Sequence, residues 1–190
     1  MESEPVLATG VVIQTLIGGT GHSSVEAPSI ELTWGGVVSD RHCALTRYAG
    51  AREREYAPNT PIFNVRQVSA VAVHELAAIA KQLNVPTIPA EDLGANLLLD
   101  SSVPITLLPT LATIWFSSGA VLLHMSANSP CKSPGRLLAA RYAPENEQQA
   151  FSARFIVAAR NLRGNVSMVQ RQGSISPGDT FEIRVPKEFL

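Results

Sequence analysis

The chain has 190 residues, of which 45% are hydrophobic and 16% are charged, and its formal net charge at pH 7 is −1. This composition excludes an intrinsically disordered chain, and the near-zero charge excludes a general electrostatic attraction to nucleic acid or to a membrane surface. We expect residues 1–190 to form a single domain that buries most of its apolar surface.

The cysteines and the N-terminus bear on the cellular compartment. Two cysteines, Cys43 and Cys131, are too few for a framework of disulfides. Residues 1–5 are acidic and lack the basic and apolar regions of a signal peptide. No stretch reaches the roughly 18 apolar residues of a membrane-spanning helix. We therefore expect a cytoplasmic protein that binds neither a membrane nor nucleic acid.

The first half of the chain predicts three strands, a long loop and one helix. Runs rich in Val and Ile predict strands at residues 6–17, 29–33 and 62–68. The polar residues 46–60 predict a surface loop, and loops of this length are uncommon unless they are functional or mobile. Ser69 is a favoured N-cap residue, and apolar residues recur at steps of three and four after it, which predicts a helix over residues 70–83.

The second half of the chain predicts mainly short strands. Strands are predicted at residues 97–99, 105–107, 111–116, 120–125, 166–171 and 180–185, and helices at 137–142 and 147–159. The helices do not alternate one-for-one with the strands, so a doubly wound sheet is not expected. The pattern favours a mainly β fold with helices (α+β), most simply a closed or nearly closed β-barrel.

Cys131 is the residue most suggestive of chemistry. Pro130 precedes it and a Pro-Gly pair follows it, so neither a strand ladder nor a regular helix extends easily through this segment. A thiol on such a loop can carry sulfur, bind a soft metal or attack an electrophile, and each role needs the thiolate. The neighbouring Lys132 favours that form, whereas Cys43 has the sequence setting of a small apolar filler at a strand end.

Four polar residues in two segments are candidates for ligand binding. Arg41 and His42 follow Asp40 at a predicted strand end, where they either contact an anion or form local hydrogen bonds and ion pairs. Asn64 and Arg66 share one face of a predicted strand because side chains alternate with a period of two. That face either presents an amide and a guanidinium to an anionic ligand or lies in water.

Two further segments offer polar groups beside glycine. Gly94 permits a positive φ or a close backbone approach, and Asn96 then offers both a donor and an acceptor. Arg163 precedes Gly164, where a phosphate could bind, although a plain hairpin start has the same pattern. The histidines have no metal-ligand spacing with the cysteines, and P-loop, nucleophile-elbow and Rossmann motifs are absent from the sequence.

Taken together, these segments resemble the MOSC domain, which is named from the C-terminal part of molybdenum cofactor sulfurases. Each segment alone is a weak signal, but their shared order along nearly the whole chain is specific. The segments are residues 39–42, 64–69, 93–97, 108–109, 130–131, 163–166 and 173–179.

The resemblance implies a β-barrel related to the barrel domain of pyruvate kinase, decorated by helices. It also implies binding of molybdenum cofactor or handling of sulfur for metal centres. The family cysteine falls on Cys131, as a ligand of molybdenum or as the carrier of a persulfide. Asn96 matches a position that contacts the cofactor, Ser129 is placed to do the same, and Arg66 and Arg163 suit the pterin phosphate.

The sequence departs from the family pattern at two places. Ser39 replaces the usual glycine before Asp-Arg-His, and Ala95 replaces the glutamate of the common Gly-Glu-Asn form. These changes affect details of the pocket more than the fold. Pyridoxal phosphate is associated with the separate N-terminal domain of full-length sulfurases, and no lysine here has a suitable setting, so we expect no direct binding of it.

Three functions therefore remain open at the level of the sequence. The first is reduction of N-hydroxylated substrates at a molybdenum cofactor ligated by Cys131, with electrons from a separate donor protein. The second is a sulfurtransferase in which a Cys131 persulfide takes sulfur from a donor protein and passes it on. The third is a non-catalytic module that binds or delivers the cofactor. Two cysteines cannot hold an iron–sulfur cluster of the Cys₄ kind.

Overall fold

The computed structural model describes residues 5–19, 21–50 and 52–187, which form thirteen strands and three α-helices. The helices are α1 (Val73–Leu83), α2 (Lys132–Tyr142) and α3 (Gln148–Ala158), with short 3-10 turns at Glu91–Leu93 and Glu145–Glu147. The strands are β1 (Val6–Gly18), β2 (Ser24–Ala27), β3 (Ile30–Thr33), β4 (Gly36–Val37), β5 (Thr46–Tyr48), β6 (Pro61–Phe63), β7 (Val68–Ala72), β8 (Leu97–Ser101), β9 (Thr113–Phe116), β10 (Val121–Ala127), β11 (Asn165–Arg171), β12 (Gly173–Ile175) and β13 (Thr180–Arg184).

Seven strands close into a mixed β-barrel, as the sequence predicts. Their order around the barrel is β1-β13-β9-β10-β11-β7-β8, and β8 returns to β1. β1 has 13 residues, so its first half pairs with β13 while its middle pairs with β8 and its end pairs with β2. All these pairs are antiparallel except β7–β8. Closure removes the exposed strand edges that an open sheet would leave.

Two smaller sheets lie beside the barrel. β12, β3 and β4 form a three-stranded antiparallel sheet, and β5 pairs with β6 in an antiparallel hairpin. The predicted polar loop at 46–60 therefore begins with a strand, because Thr46 lies opposite Phe63 and Tyr48 lies opposite Pro61. The hairpin brings residues 46–50, 52 and 53 to one end of the barrel, where several of them line a cleft.

The apolar core has two parts. Side chains such as Val12, Leu97 and Ile114, each at most 1% exposed, fill the barrel. A second cluster joins the helices to the outside of the barrel, and it includes Phe151 and Phe155 of α3. These two phenylalanines lie on the apolar face that the sequence pattern predicts for this helix.

Tertiary contacts change two predicted elements: one helix begins later, and one strand does not form. The predicted helix at 70–83 begins only at Val73, because residues 68–72 are strand β7 and pair with β11 and β8. The predicted strand at 105–107 is wrong: Ile105 is buried outside any strand, and the N–H of Thr106 donates to Glu75. In both places a tertiary contact overrides the local pattern.

Helix α2 begins five residues earlier than the sequence predicts. It starts at Lys132, directly after Cys131, and it contains Pro134 and Gly135. Proline is tolerated in the first turn of a helix because the N–H groups there have no intrahelical partner. The Pro-Gly pair therefore lies inside the start of α2 instead of forming a turn before it.

Within the described ranges, 5–19, 21–50 and 52–187, the longest helices have 11 residues, and none is long and apolar enough to cross a membrane.

Candidate functional site

A cleft of about 660 Å³ opens at one end of the barrel. The ends of β1 and β10 and the starts of β7, β8 and β11 meet at this rim, since Ala127 pairs with Asn165, Asn165 with Ala70, and Leu97 with both Ala70 and Thr15. Segments distant in the sequence thus meet in one cavity. The lining residues are His22, Arg41, His42, Ala44, Thr46, Arg47, Tyr48, Gly50, Arg52, Glu53, Asn64, Arg66, Ser69, Leu93, Gly94, Asn96, Asn128, Cys131, Pro134, Arg163 and Val166.

Cys131 lies at the N-cap of α2 and lines the cleft. Its backbone is extended, with φ −139° and ψ 174°, and the residue is half-buried. The first backbone N–H groups of an 11-residue helix follow it, and a helix N-terminus favours negative charge. The thiol is therefore reachable from the cleft and lies beside a helix N-terminus.

Arg163, which is buried, and Arg66, which is half-buried, both interact electrostatically with Cys131. Burial lowers the pKa of Arg163 to about 10, and a negative charge on Cys131 acts in the opposite direction. Burial likewise lowers the pKa of Arg66 to about 10, with repulsion from Arg52 and Arg47 adding to it. Both guanidiniums stay protonated at neutral pH. Their burial and mutual repulsion are unfavourable in the free protein, which suggests that an anion completes the site.

Three arginines of the cleft have no carboxylate partner among the described residues; we call them the wall arginines. Each makes one hydrogen bond to a neutral oxygen: Arg52 to the carbonyl of Ser129 (3.3 Å), Arg66 to Oδ1 of Asn128 (2.9 Å), and Arg163 to the carbonyl of Leu93 (2.7 Å). None takes part in the ion pairs of the described part of the chain.

The other two arginines of the cleft are held by the protein. Arg47 forms an ion pair with Glu53 at 2.7 Å. The hydrogen bond from Arg47 lowers the pKa of Glu53 to about 2, with the N–H of Gly50 contributing. Arg41 does not pair with the neighbouring aspartate; its guanidinium donates to the carbonyls of residues 19, 22 and 23. Arg41 therefore ties the loop after β1 to the cleft.

Asp40 is the centre of a buried hydrogen-bonded group. Its carboxylate accepts from the N–H of Gly18 (2.6 Å), from Nδ2 of Asn96 (2.7 Å) and from the N–H of His42 (2.8 Å). Burial alone would raise the pKa of Asp40, but the hydrogen bonds from His42, Gly18 and Asn96 lower it to about 2. Asp40 is therefore a fixed negative charge at neutral pH.

Two asparagines complete this group, and we call Asp40, Asn64 and Asn96 the floor network. Nδ2 of Asn96 donates to Asp40 and to the carbonyl of Leu16, and its Oδ1 accepts from Ser69. Nδ2 of Asn64 donates to the carbonyls of His42 and Ala44, and its Oδ1 accepts from the N–H of Arg66. Both donor hydrogens of each amide are thus used within the fold.

His42 lies beside the floor network but stays open to the cleft. Its Nδ1 is 3.1 Å from Oδ1 of Asp40, and its side chain is 53% exposed. The other ring nitrogen makes no hydrogen bond among the described residues. The imidazole is thus held at one nitrogen and free at the other.

Two glycines let the cleft form. Gly94 has φ +64°, and a Cβ there would collide with the carbonyl of His22. Gly164 has φ +79°, and a Cβ there would overlap the carbonyl of Ala70. The positive φ that the sequence allows at Gly94 is thus present, and Gly164 lets the segment carrying Arg163 approach β7.

The predicted site residues do not all reach the cleft. Cys131, Asn96, Arg66, Arg163, Arg41, His42 and Asn64 line it, whereas Ser129 is exposed and contributes only its carbonyl, to Arg52. The neighbouring Asn128 is buried, lines the cleft and orients Arg66.

Sequence reasoning missed Asn128, Arg47 and Arg52. For the two arginines, the available signal was the length and arginine content of residues 46–60, because such a loop is often functional.

Comparisons with known proteins agree with the fold. The model of the family described as "MOSC domain" matches residues 53–182. A protein of Bacillus subtilis (strain 168), named "Putative metal-sulfur cluster biosynthesis proteins YuaD", is 37% identical over 154 residues, which cover 81% of this chain and 79% of YuaD.

Solved structures extend the comparison. The crystal structure of the YuaD protein from Bacillus subtilis matches with a TM-score of 0.89 and 33% identity, covering 94% of this chain and 97% of that chain. YiiM from Escherichia coli matches with a TM-score of 0.57 and 14% identity, covering 94% of this chain and 70% of that chain, and it shows the fold alone. The chain belongs to the MOSC domain family.

Proposed function

We propose that the protein binds molybdenum cofactor in this cleft, with Cys131 as the protein ligand of molybdenum, and that it reduces N-hydroxylated substrates. One observation carries the proposal. A reachable thiol shares a cleft with three guanidiniums that lack carboxylate partners within the described residues. This combination suits a ligand that offers both a soft metal and a phosphate.

The donor set fits such a cofactor. Nε of Arg163 is buried without a hydrogen-bond partner, in a residue that is only 7% exposed and that lines the cleft. An orphaned, buried guanidinium nitrogen calls for an acceptor from a ligand. The described residues contain no group of three or more His, Cys, Asp or Glu that could hold a metal ion alone. A metal bound here would need ligands other than protein side chains, and the sulfurs of a pterin dithiolene would supply them.

Each residue then has a defined task. Arg163 and Arg66 would bind the phosphate, since a guanidinium can present two parallel N–H groups to phosphate oxygens. Asn128 orients Arg66, and Cys131 would bind the metal. When bound, the cofactor supplies two-electron reduction. The fold already uses both donor hydrogens of the amides of Asn96 and Asn64. These two residues would therefore maintain the shape of the cleft and would not donate to the cofactor.

The electrons would come from a separate donor protein. The sequence carries no flavin-binding motif, and its two cysteines cannot hold a Cys₄ iron–sulfur cluster. A reduced viologen dye can replace the natural donor in an assay.

A metal and sulfur inventory tests the proposal. The protein is purified from a host that makes molybdenum cofactor, and molybdenum, pterin and cyanide-releasable sulfur are measured. We expect stoichiometric molybdenum that is lost in Cys131→Ser and kept in the matched control Cys43→Ser, because Cys43 does not line the cleft. Viologen-dependent reduction of an amidoxime should follow the molybdenum content. Wild-type protein without molybdenum would refute the proposal.

A second candidate is a sulfur carrier in which Cys131 bears a persulfide. The half-buried but reachable position of Cys131 favours it, because a carrier sulfur must meet both a donor and an acceptor protein. The name of YuaD refers to metal-sulfur cluster biosynthesis, which agrees with this role. Cyanide-releasable sulfur without molybdenum would establish the carrier. Bound molybdenum without reduction of any N-hydroxylated substrate would instead identify a delivery module.

A further inference from the structure

We propose that His42 is the proton donor of the cleft and that Asp40 is the positioning residue that orients it. The inference rests on the proposed reductase function and adds a catalytic residue to it. It starts from a juxtaposition: a half-exposed imidazole in the same cleft as Cys131, with one ring nitrogen held by a buried carboxylate.

Asp40 holds His42 from two directions. Oδ1 of Asp40 lies 3.1 Å from Nδ1 of the ring and accepts the backbone N–H of the same histidine at 2.8 Å. Its Oδ2 is anchored by Gly18 and Asn96, and the side chain is only 1% exposed. The carboxylate therefore cannot turn away, and it keeps the Nδ1 proton in place. The free Nε2 is then the nitrogen that exchanges a proton with a ligand.

Five other ionisable groups of the cleft are less suited to this task. Glu53 is paired with Arg47, and that pairing keeps its pKa at about 2, so it stays ionised. The guanidiniums of Arg66 and Arg163 keep their protons, with pKa values of about 10. Cys131 is assigned to the metal. His22 lines the cleft too, but its ring has no hydrogen-bond partner among the described residues.

The proton transfer belongs to a balanced reduction. A substrate R–NH–OH takes up two electrons from an external reductant and two protons, and it yields R–NH₂ and water. The N–O bond breaks, and the departing oxygen takes the Nε2 proton from the imidazolium form of His42 and leaves as water. The ring is then neutral and keeps its remaining proton on Nδ1, beside Asp40. The electrons end as a lone pair on nitrogen, which takes the second proton from solvent. Solvent water then reprotonates the imidazole, which Asp40 holds in position throughout.

The central test is His42→Ala with chemical rescue. We expect equal molybdenum content, at least about a hundredfold lower kcat with reduced viologen as donor, and partial recovery when free imidazole is added. Rescue is expected because the cleft is open and deletion of an exposed ring leaves room in it. His74→Gln is the control, since His74 is exposed on α1 and does not line the cleft.

Two measurements separate the role of His42 as proton donor from the role of Asp40 as positioning residue. In cofactor-free protein, ¹⁵N NMR should show that the neutral ring of His42 carries its proton on Nδ1 and that the imidazolium carries a second proton on Nε2, and Asp40→Asn should shift the tautomer of the neutral ring. Asp40→Asn should also lower kcat more than it changes KM. If Asp40→Asn does not fold, the tautomer in wild-type protein and the rescue of His42→Ala still decide the proposal.

The outcomes distinguish this inference from the proposed function. Molybdenum-loaded His42→Ala with the wild-type kcat, or an unrescued loss, would overturn the role of His42 and leave the reductase function standing. Wild-type protein with neither molybdenum nor reduction would overturn the proposed function, and the proton-donor role with it.

Discussion

The floor network and the wall arginines differ in how many hydrogen bonds their polar groups make within the protein. Each member of the floor network makes three or more hydrogen bonds within the protein. Each wall arginine makes one, to a neutral oxygen, and has no carboxylate partner among the described residues. Satisfied buried groups stabilise a fold, whereas unsatisfied ones lower stability and are retained where a ligand uses them. The comparison therefore separates the residues whose hydrogen bonds build the cleft from those whose donors remain available to a ligand.

The largest effect is expected in the floor network. Asn96→Ala removes bonds to Asp40, Leu16 and Ser69 and leaves buried partners unsatisfied, so the free energy of unfolding should fall by about 3 kcal/mol. Urea unfolding of cofactor-free protein measures it, with the exposed Asn146→Ala as control. A loss of anion binding at unchanged stability would mean that Asn96 contacts the ligand directly, as the family resemblance implies.

The second largest effect is expected on acidification, which should weaken the floor network. The hydrogen bonds of Asp40 lower its folded pKa from 3.8 to about 2, so its contribution is complete above about pH 4 and is lost as pH falls through about 2. A shift of this size corresponds to about 2 kcal/mol. Unfolding measured from pH 5 to pH 2 should show a weaker pH dependence in Asp40→Asn. Glu53 titrates in the same window in both proteins, so the difference isolates Asp40. Identical slopes would contradict the prediction.

Substitution of a wall arginine should raise the free energy of unfolding, whereas the changes in the floor network lower it. Burial lowers the pKa of Arg163 from 12.5 to about 10, which corresponds to about 3 kcal/mol of unfavourable free energy for the folded cation. The lost hydrogen bond to Leu93 offsets about 1 kcal/mol, so Arg163→Met should stabilise the cofactor-free protein by about 2 kcal/mol. Binding of inorganic pyrophosphate, measured by calorimetry, should weaken about tenfold or more.

Arg160→Met is the matched control for that substitution. Arg160 is exposed, only three residues away, and does not line the cleft, so both stability and anion binding should stay close to wild type. If Arg163→Met instead destabilises the protein and leaves pyrophosphate binding intact, Arg163 belongs with the floor network.

The smallest effect is expected at a buried carboxyl outside both regions. Glu75 is 1% exposed; Thr106 donates to its Oε1, and its Oε2 has no partner within the described residues. Burial raises its pKa, so the folded state resists ionisation of this carboxyl, and folding stability is lost as pH rises from the unfolded pKa towards the folded one. Glu75→Gln keeps the acceptor and removes the charge, so the Tm at pH 8 should increase relative to wild type and the difference should shrink on acidification. An equal Tm difference at pH 5 and pH 8 would contradict this cause.

The sequence predicts the strands better than their boundaries. The Val- and Ile-rich runs of β1, β10 and β11 are evident because apolar patterning is a local property. The helix at α1 was predicted three residues too early, since the pairing of β7 with β8 and β11 depends on residues far along the chain. The sequence does not reveal the start of α2 at Lys132, because a Pro-Gly pair at the start of a helix resembles a loop.

In the candidate site, too, the sequence reveals some features and leaves others to the fold. The sequence identifies Cys131 and the residue types that can bind an anion, and the order of the motifs identifies the family. It does not distinguish Asn96, whose donors the fold uses, from Arg163, whose Nε is left without a partner.

By itself, the sequence determined the family and the barrel, and it singled out Cys131 as a candidate, because these follow from residue type, local periodicity and the order of motifs. Only the tertiary structure decided which polar groups remain available to a ligand. Closure of the barrel brings the segments around residues 40, 66, 96, 131 and 163 to one rim, and hydrogen bonds among them use the donors of the floor network. The charges of the wall arginines remain available to a ligand because no carboxylate among the described residues lies close enough to pair with them.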